Sequence, residues 1–271
     1  MIGQESLKNR FEECKSFDDL PRSIMLVGAS GSGRRAFAHW LAIKVNITYV
    51  EIGGKIDDVR DMIDYCYKAE NPTMYVIPNV DTMSAAAQNS MLKILEEPPK
   101  NAVFVVTTSQ LDLVLSTIRS RCQVYLMGCY KQSEIVEFIN QKYPDCSEET
   151  IKYLCSVCVF PGEISRMMKQ DIPEFQKYVQ LVFDNVAKVS GSNSFKIGDK
   201  INLGTDETKF DLELFWRAFV YTCIEHMAED CKRYSDGVEV TMSSLIDLRI
   251  KGVNKQMSFD NWILAIRRVW M

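Results

Sequence analysis

The sequence predicts a parallel α/β core followed by two regions made of helices, and three observations support this prediction. Strand-like and helical segments alternate over roughly the first 125 residues, as in a parallel sheet whose strands are joined by helices. A glycine-rich loop over residues 28–33 joins an apolar strand to a helical segment. Beyond residue 130, apolar residues recur with helical spacing and no longer form strand-like runs.

The core is predicted to be a five-stranded parallel sheet with helices on both faces. Its strands are the short apolar runs at residues 24–27, 47–52, 74–77, 103–107 and 123–126. Helices are predicted near residues 5–15, 34–44, 56–69 and 84–97. The last of these begins at Ser84, a good N-cap residue, and ends at Pro98 and Pro99, which cannot continue a helix.

The rest of the chain is predicted to be helical. Helices near residues 131–142, 147–157 and 162–170 suggest a small lid, and helices near 173–188, 209–232, 239–251 and 258–270 suggest a C-terminal all-α domain. The predicted domains are therefore an α/β domain at 1–127, a helical lid at 128–171 and a helical domain at 172–271. In the last helix, one face carries Trp262, Ile266, Val269 and Trp270, a stripe expected to pack inside this domain.

Composition limits the possible function classes. The net charge of −4 and the pI of about 5.4 provide no global basic field for nucleic acid, so any DNA contact must be local or made through partners. The sequence shows no leader and no apolar run of membrane length, which suggests a cytoplasmic protein without membrane association. The nine cysteines are scattered, and only Cys155 and Cys158 have ligand-like spacing, so we expect reduced thiols and no metal.

The glycine loop has the spacing of the phosphate-binding motif G-x-x-x-x-G-K-[ST], but arginines occupy its last two positions. The residues concerned are Gly28, Gly31, Gly33, Arg34 and Arg35. In a working loop, backbone N–H groups hold the phosphates, the lysine reaches the β- and γ-phosphates, and the hydroxyl ligates Mg²⁺. Arg34 keeps the charge in a different shape, and Arg35 cannot ligate a cation. The sequence thus predicts a degenerate loop that binds nucleotide weakly or not at all.

A second set of catalytic residues is expected at the end of the third strand, and it too is degenerate. Pro78 stands where a metal-orienting aspartate is expected, and Asn79 stands where a catalytic glutamate is expected. Neither residue supplies a carboxylate. In an alternative register Asp81 is the metal acid, although the strand would then run through Pro78. Otherwise, Asp81 is expected to cap the turn into the next helix.

Several segments resemble bacterial clamp-loader subunits of the AAA+ class. Residues 89–99 are similar to that family's NALLKxLEEPP helix, residues 104–108 to its sensor-1 strand, and residues 117–122 to its Ser-Arg-Cys motif. Residues 2–4 and 56–60 are also similar to family signatures. The resemblance is strong over residues 1–125 and weakens through the lid. It implies a AAA+ fold with a degenerate Walker A loop and Walker B strand, most like the ATPase-deficient delta-prime stator of the loader.

The resemblance also implies a role for Arg121. In the family, the arginine of the Ser-Arg-Cys motif is a finger presented to ATP on the neighbouring subunit, where it stabilises charge on the γ-phosphate. Arg121 matches that position, and Arg119 is the expected structural helper. The alternative is that Arg121 is a surface arginine without a catalytic role. In the lid motif Glu163 occupies the slot of a basic residue, the sensor role is not transferred to Arg166, and Thr107 and Thr108 are expected to be structural.

The resemblance implies that residues 172–271 are the family's oligomerisation collar, in which case part of the stripe on the last helix would face a partner subunit. The implied partners are the other clamp-loader subunits, namely ATPase motor subunits and a delta-like subunit. The sliding clamp would be reached indirectly and primer–template DNA through the assembled complex, while ATP and Mg²⁺ would be bound at neighbouring subunits. The family's zinc-binding cysteine cluster has no counterpart, since only Cys66 lies between the loop and the third strand. Two rival interpretations are a self-sufficient AAA+ ATPase that uses Arg34 and Asp81, and a AAA+-derived scaffold outside replication.

Overall fold

The computed structural model describes residues 1–188, 198–203, 209–248, 250 and 252–271. Its strands are β1 (Ser23–Val27), β2 (Thr48–Glu51), β3 (Thr73–Ile77), β4 (Ala102–Thr108), β5 (Gln123–Leu126), β6 (Ile201–Asn202) and β7 (Phe210–Asp211). In the first half of the chain the helices are α1 (Glu5–Arg10), α2 (Arg34–Lys44), α3 (Ile56–Cys66), α4 (Ala85–Ser90), α5 (Leu92–Glu96) and α6 (Ser116–Arg119). The later helices are α7 (Gln132–Lys142), α8 (Glu148–Val157), α9 (Pro161–Met167), α10 (Ile172–Asn185), α11 (Leu212–His226), α12 (Cys231–Asp247) and α13 (Lys255–Trp270).

The main sheet has five parallel strands in the order β2-β3-β4-β1-β5, which confirms the predicted fold class. All residues of the central strands β3 and β4 are buried, which explains why these strands read as unbroken apolar runs. Because the strands are parallel, the loops after β1, β3 and β4 lie at the same edge of the sheet. The glycine loop, the residues after Ile77 and the residues after Thr108 therefore lie at one edge.

Helices cover both faces of this sheet, as predicted. On one face, side chains such as Met25, Tyr75 and Phe104 pack with residues of α3, α4 and α5. On the opposite face, Ile24, Val105 and their neighbours pack with residues of α1 and α2, including Leu7, Phe37 and Leu41. Burial of both faces fixes the strands that carry the site loops.

The C-terminal helices bury an aromatic core. Trp262 lies 4.9 Å from Phe219 between ring centroids, and its Nε1–H donates to Thr241 Oγ1 at 2.9 Å. The Nε1–H of Trp270 donates to the carbonyl of Arg233 at 2.8 Å. The stripe predicted on the last helix is thus largely internal, with Trp262, Ile266 and Trp270 buried.

Three local predictions were wrong. The helix expected at 209–232 ends at His226, and the next begins at Cys231, because the side chain of Asp230 caps it by accepting from the N–H of Arg233. The helix expected at 84–97 is divided into α4 and α5 at Met91, although Ser84 caps α4 as predicted. The two-residue strands β6 and β7 pair in parallel in a region where only helices were expected.

The chain forms two compact units. The first comprises Met1–Phe138 with Phe160–Gly162, and the second comprises Ile139–Val159 with Glu163–Met271. The division into an α/β domain, a lid and a C-terminal domain stays a prediction. Among the described residues, none of the helices combines the length and the apolar character needed to cross a membrane.

Candidate functional site

The glycine loop is held by backbone hydrogen bonds from several directions. The N–H of Gly28 donates to the carbonyl of Thr108 at 3.0 Å, which ties the start of the loop to the end of β4. Within the loop, the N–H of Ser32 donates to the carbonyl of Ala29 at 3.1 Å. Gly33 precedes α2 with a φ of 90°, a conformation that suits glycine. The backbone conformation at position 33 thus favours glycine whether or not the loop binds a ligand.

Two residues distant in sequence donate hydrogen bonds to backbone carbonyls of this loop. The N–H of Gly162 donates to the carbonyl of Gly31 at 3.0 Å, and the hydroxyl of Tyr130 donates to the carbonyl of Ser32 at 3.0 Å. A Cβ atom at Gly162 would overlap the Cα of Gly31, so only glycine fits there without movement. Sequence reasoning missed these two residues, and the only signal was the Pro161-Gly162 pair.

Arg34, at the position of the motif lysine, is turned into the protein. It is 9% exposed, and its Nη2 donates to Asn79 Oδ1 at 3.1 Å. Burial lowers the pKa of Arg34, and the negative charge of Asp81 partly opposes that shift. Nη1 of Arg34 and Oδ1 of Asp81 are both buried and have no hydrogen-bond partner among the described residues. The charge at the lysine position is therefore engaged with the degenerate third strand.

Arg35, at the position of the motif hydroxyl, forms an exposed ion pair. Its Nη1 lies 2.7 Å from Glu51 Oε1 at the end of β2, and its side chain is 62% exposed. The other oxygen of Glu51 accepts from the hydroxyl of Tyr49 at 3.1 Å. Burial, followed by the charge of Glu51, raises the pKa of Tyr49 to about 12, so this phenol stays protonated.

The residues after β3 form a turn fastened to the end of β4. Asn79 has a φ of 51°, and its N–H donates to Thr107 Oγ1 at 3.1 Å. The Oγ1–H of Thr108 donates to the carbonyl of Gln110 at 3.1 Å. Both threonines are buried.

Asp81 is buried and makes contacts that differ from the expected capping role. Its Oδ2 accepts from the hydroxyl of Ser109 at 2.7 Å and from the N–H groups of Ser109 and Gln110, each at 3.2 Å. Ser84, not Asp81, caps the following helix. The carboxylate thus organises the loop after β4.

Arg121 lies on a surface loop directly after α6. Its Nε and Nη2 donate to Glu96 Oε2 at 2.9 and 2.7 Å, and its Nη1 donates to the carbonyl of Thr117 at 3.0 Å. The side chain is 29% exposed. Neighbouring Cys122 is buried, and burial raises the pKa of its thiol to about 12, so it packs as a neutral group. Arg119 is half-buried, and its backbone N–H donates to the carbonyl of Leu115 at 3.1 Å; its helper role stays a prediction.

In the second unit, the acidic residue of the lid motif is part of a charge network. The side chain of Glu163 is 1% exposed, with Oε1 3.1 Å from Arg217 Nη2 and Oε2 accepting from the N–H of Val159 at 2.8 Å. Arg166 pairs with Asp211 at 2.9 Å and with Glu213 at 3.3 Å. Sequence reasoning missed Arg217 and Glu213, although their four-residue spacing on α11 was a signal.

Metal ligands do not come together in the described part of the chain. No group of three or more histidine, cysteine, aspartate or glutamate side chains is placed to hold an ion there. All nine cysteines are free thiols, including Cys155 and Cys158.

Parts of this chain are similar to known proteins. Residues 46–130 match the family model described as DNA polymerase III, delta subunit, a stretch that includes Pro78, Asn79, Asp81 and Arg121. A DNA polymerase III subunit gamma of Buchnera aphidicola from Schizaphis graminum is 23% identical over 170 residues, which cover 51% of this chain and 47% of that protein. A DNA polymerase III subunit delta′ of Yersinia pestis is 31% identical over 91 residues, covering 32% of this chain and 27% of the relative.

The chain is similar to DNA polymerase III subunits over part of its length. A crystal structure of a DNA polymerase III gamma subunit-related protein from Thermotoga maritima superposes on this fold with a TM-score of 0.54 and 20% identity, covering 98% of this chain and 99% of that one. At this identity the superposition shows a shared fold and no more. The matched stretches span less than half the length of the two curated relatives. The family-model match begins after the glycine loop, so it covers the β3 and Arg121 regions of this chain but not Arg34.

Proposed function

We propose that this chain is a non-hydrolysing, delta-prime-like subunit of a DNA polymerase III clamp loader. Its role is to present Arg121 as an arginine finger to ATP bound on a neighbouring subunit. The observation that carries the proposal is the contrast between two arginines. Arg34 is buried and bonded inside the degenerate loop site, whereas Arg121 stands at the surface on a motif similar to that of the family's finger.

The residues of the chain's own site do not fit magnesium-bound ATP. Arg34 Nη2 is bonded to Asn79, and Arg35 offers only donors and is paired with Glu51. Pro78 and Asn79 supply no carboxylate at the end of β3. Asp81 uses one carboxylate oxygen to hold Ser109 and Gln110. No hydrolytic step is assigned to this site.

The geometry of Arg121 supports the finger role. Three of its five N–H bonds donate to Glu96 and Thr117, and two remain for a ligand among the contacts of the described residues. A planar guanidinium with two further donors suits the oxygens of a phosphate. In the proposed complex, those donors would stabilise the charge that develops on the transferred phosphoryl group.

The partners follow from this role. They are the ATPase motor subunits and a delta-like subunit of the loader, which acts on a sliding clamp and on primer–template DNA as an assembly. ATP and Mg²⁺ belong to the neighbouring subunits, and this chain needs no metal of its own. The DNA contacts are made through the assembled complex, in keeping with the acidic net charge of −4.

The rival function is that of a self-sufficient AAA+ ATPase using Arg34 and Asp81. One observation favours it, namely that a relative matched over 170 residues is named gamma and not delta′. Against it stand the bonds that occupy both residues in this structure. Magnesium-dependent ATP turnover by the isolated chain would establish the rival.

The test combines an isolated chain with a reconstituted loader. We expect no ATP turnover by the purified chain and co-purification with motor and delta-like subunits. In the reconstituted complex, Arg121→Ala should slow hydrolysis at the adjoining site by about 10³-fold. Arg119→Ala is the matched control, since Arg119 lies on the same turn and is half-buried. Undiminished hydrolysis in the Arg121→Ala complex would remove the finger assignment, and failure to co-purify with loader subunits would favour a scaffold outside replication.

A further inference from the structure

We infer that Glu96 is a positioning residue for Arg121, holding the guanidinium in the orientation in which its outer N–H groups face a neighbour's phosphate. The inference rests on the proposed finger role and deepens it. It assigns a function to the first glutamate of the Leu95-Glu96-Glu97-Pro98-Pro99 segment, for which the sequence alone suggested only membership of a helix end.

The contact is made along one side of the guanidinium. Glu96 Oε2 accepts from both Nε and Nη2 of Arg121, at 2.9 and 2.7 Å. The carbonyl of Thr117 accepts from Nη1 at 3.0 Å. Together these acceptors fix the plane and the rotation of the guanidinium and leave two N–H bonds for another ligand. A guanidinium without Glu96 would be held by one backbone acceptor and would rotate more freely.

Both residues stand on backbone that the core fixes. Next to Glu96, the side chains of Ile94 and Leu95 are buried, and the carbonyl of Leu95 accepts from Ser23 Oγ at 3.0 Å. On the other side, Arg121 lies between buried Ile118 and buried Cys122. The pair therefore links two anchored segments, which is the arrangement that holds a functional side chain to a narrow range of positions.

The placement of Glu96 is unfavourable for helix stability alone. It is the last residue of α5, where a negative charge meets the negative end of the helix dipole. Pro98 and Pro99 end the helix soon after this point, so the carboxylate is kept within reach of Arg121. The ion pair with a half-buried arginine offsets this unfavourable position, whereas the adjacent Glu97 is exposed and makes no such contact within the described residues.

The competing hypothesis is that Glu96 holds Arg121 in an inactive position. A carboxylate beside a finger also neutralises part of its charge. Such an ion pair would lower the rate of ATP hydrolysis until assembly of the complex separated Arg121 from Glu96. The two roles predict opposite signs. Positioning predicts a slower complex when Glu96 is removed, and the competing hypothesis predicts a faster one.

The experiment measures kcat and KM for ATP in the reconstituted loader, with this chain present as Glu96→Ala, Glu96→Gln or the control Glu97→Ala. We expect Glu96→Ala to lower kcat by about 10- to 100-fold with little change in KM, the range found when a supporting contact to a functional group is removed. Glu96→Gln keeps an acceptor oxygen and should recover most of the rate. Glu97→Ala should match the parent complex.

A double variant tests whether the effect acts through Arg121. In an Arg121→Ala background, Glu96→Ala should cause no further loss, because the group that it positions is gone. An unchanged or faster Glu96→Ala complex, or an equal additional loss in the Arg121→Ala background, would overturn the positioning role while leaving the finger in place. An Arg121→Ala complex of undiminished rate would instead overturn the proposed function itself. Should Glu96→Ala assemble poorly, Glu96→Asp against Glu97→Asp gives the same comparison: a slowed Glu96→Asp complex supports positioning, and a Glu96→Asp rate equal to or above that of the parent overturns it.

Discussion

Two arginines in the first compact unit have opposite settings. Arg34 follows the glycine loop, 9% exposed and bonded to Asn79. Arg121 lies after α6, with a side chain 29% exposed and bonded to Glu96 and Thr117. Arg34 has a buried Nη1 without a partner among the described residues, whereas the unengaged donors of Arg121 belong to a partly exposed group.

The difference distinguishes an arginine that is enclosed by the protein from one whose remaining N–H groups are partly exposed. Burial of an arginine costs free energy unless its hydrogen bonds are satisfied, and that cost is only partly met at Arg34. A half-exposed arginine held by a carboxylate keeps its charge and its shape at low cost. The two settings fit a packing role for Arg34 and are compatible with the ligand-binding role proposed for Arg121.

The largest expected effect is at Arg121. Arg121→Lys keeps the positive charge but loses the planar fork, so hydrolysis at the adjoining site of the reconstituted complex should fall by about 10²- to 10³-fold. Steady-state phosphate release from the complex measures the effect, with Arg119→Lys as the control. A rate within about threefold of the parent would mean that only charge matters there, and would weaken the contrast with Arg34.

Sequence alone predicted the strands and the glycine loop of the core better than the contacts between its residues. Apolar runs gave all five strands of the main sheet, and glycine spacing gave the loop. The bond from Arg34 to Asn79 joins residues 45 positions apart, and the contact of Gly162 with Gly31 depends on how a distant helix begins. Such contacts are set by tertiary packing and leave no periodic signal. The break before Cys231 was missed because an N-cap aspartate inside a long helical pattern looks like any other polar residue.

The next effect concerns Asp81, which the alternative interpretation made a metal ligand. Asp81→Ala removes a buried acceptor of three hydrogen bonds, two from Ser109 and one from the N–H of Gln110, which also donates to Thr108 Oγ1. The free energy of unfolding should fall by about 3 kcal/mol. Urea denaturation followed by circular dichroism measures it, with exposed Asp112→Ala as control. A loss no larger than that of the control would show that the carboxylate is free for another role.

A smaller loss of stability is expected where the loop meets Gly162. Gly162→Ala places a methyl group into the backbone of Gly31, so the free energy of unfolding should fall by about 1–3 kcal/mol. Gly54→Ala is the matched control, because a Cβ there meets nothing within 4 Å. The same denaturation experiment compares the two variants. Equal free energies of unfolding would mean that Gly162 does not pack against the backbone of Gly31 as the structure describes.

The smallest effect is expected from restoring the motif. The double variant Arg34→Lys, Arg35→Thr recreates the G-x-x-x-x-G-K-[ST] signature, yet the isolated chain should still show no magnesium-dependent phosphate release. The reason lies outside the loop, since Pro78 and Asn79 offer no carboxylate to orient a metal ion or accept a proton from water. Asp81, whose Oδ2 binds Ser109 and Gln110, is not expected to replace them. Turnover by the double variant above that of the parent chain would show that the two loop arginines together, and not Pro78 and Asn79, prevent hydrolysis at this site.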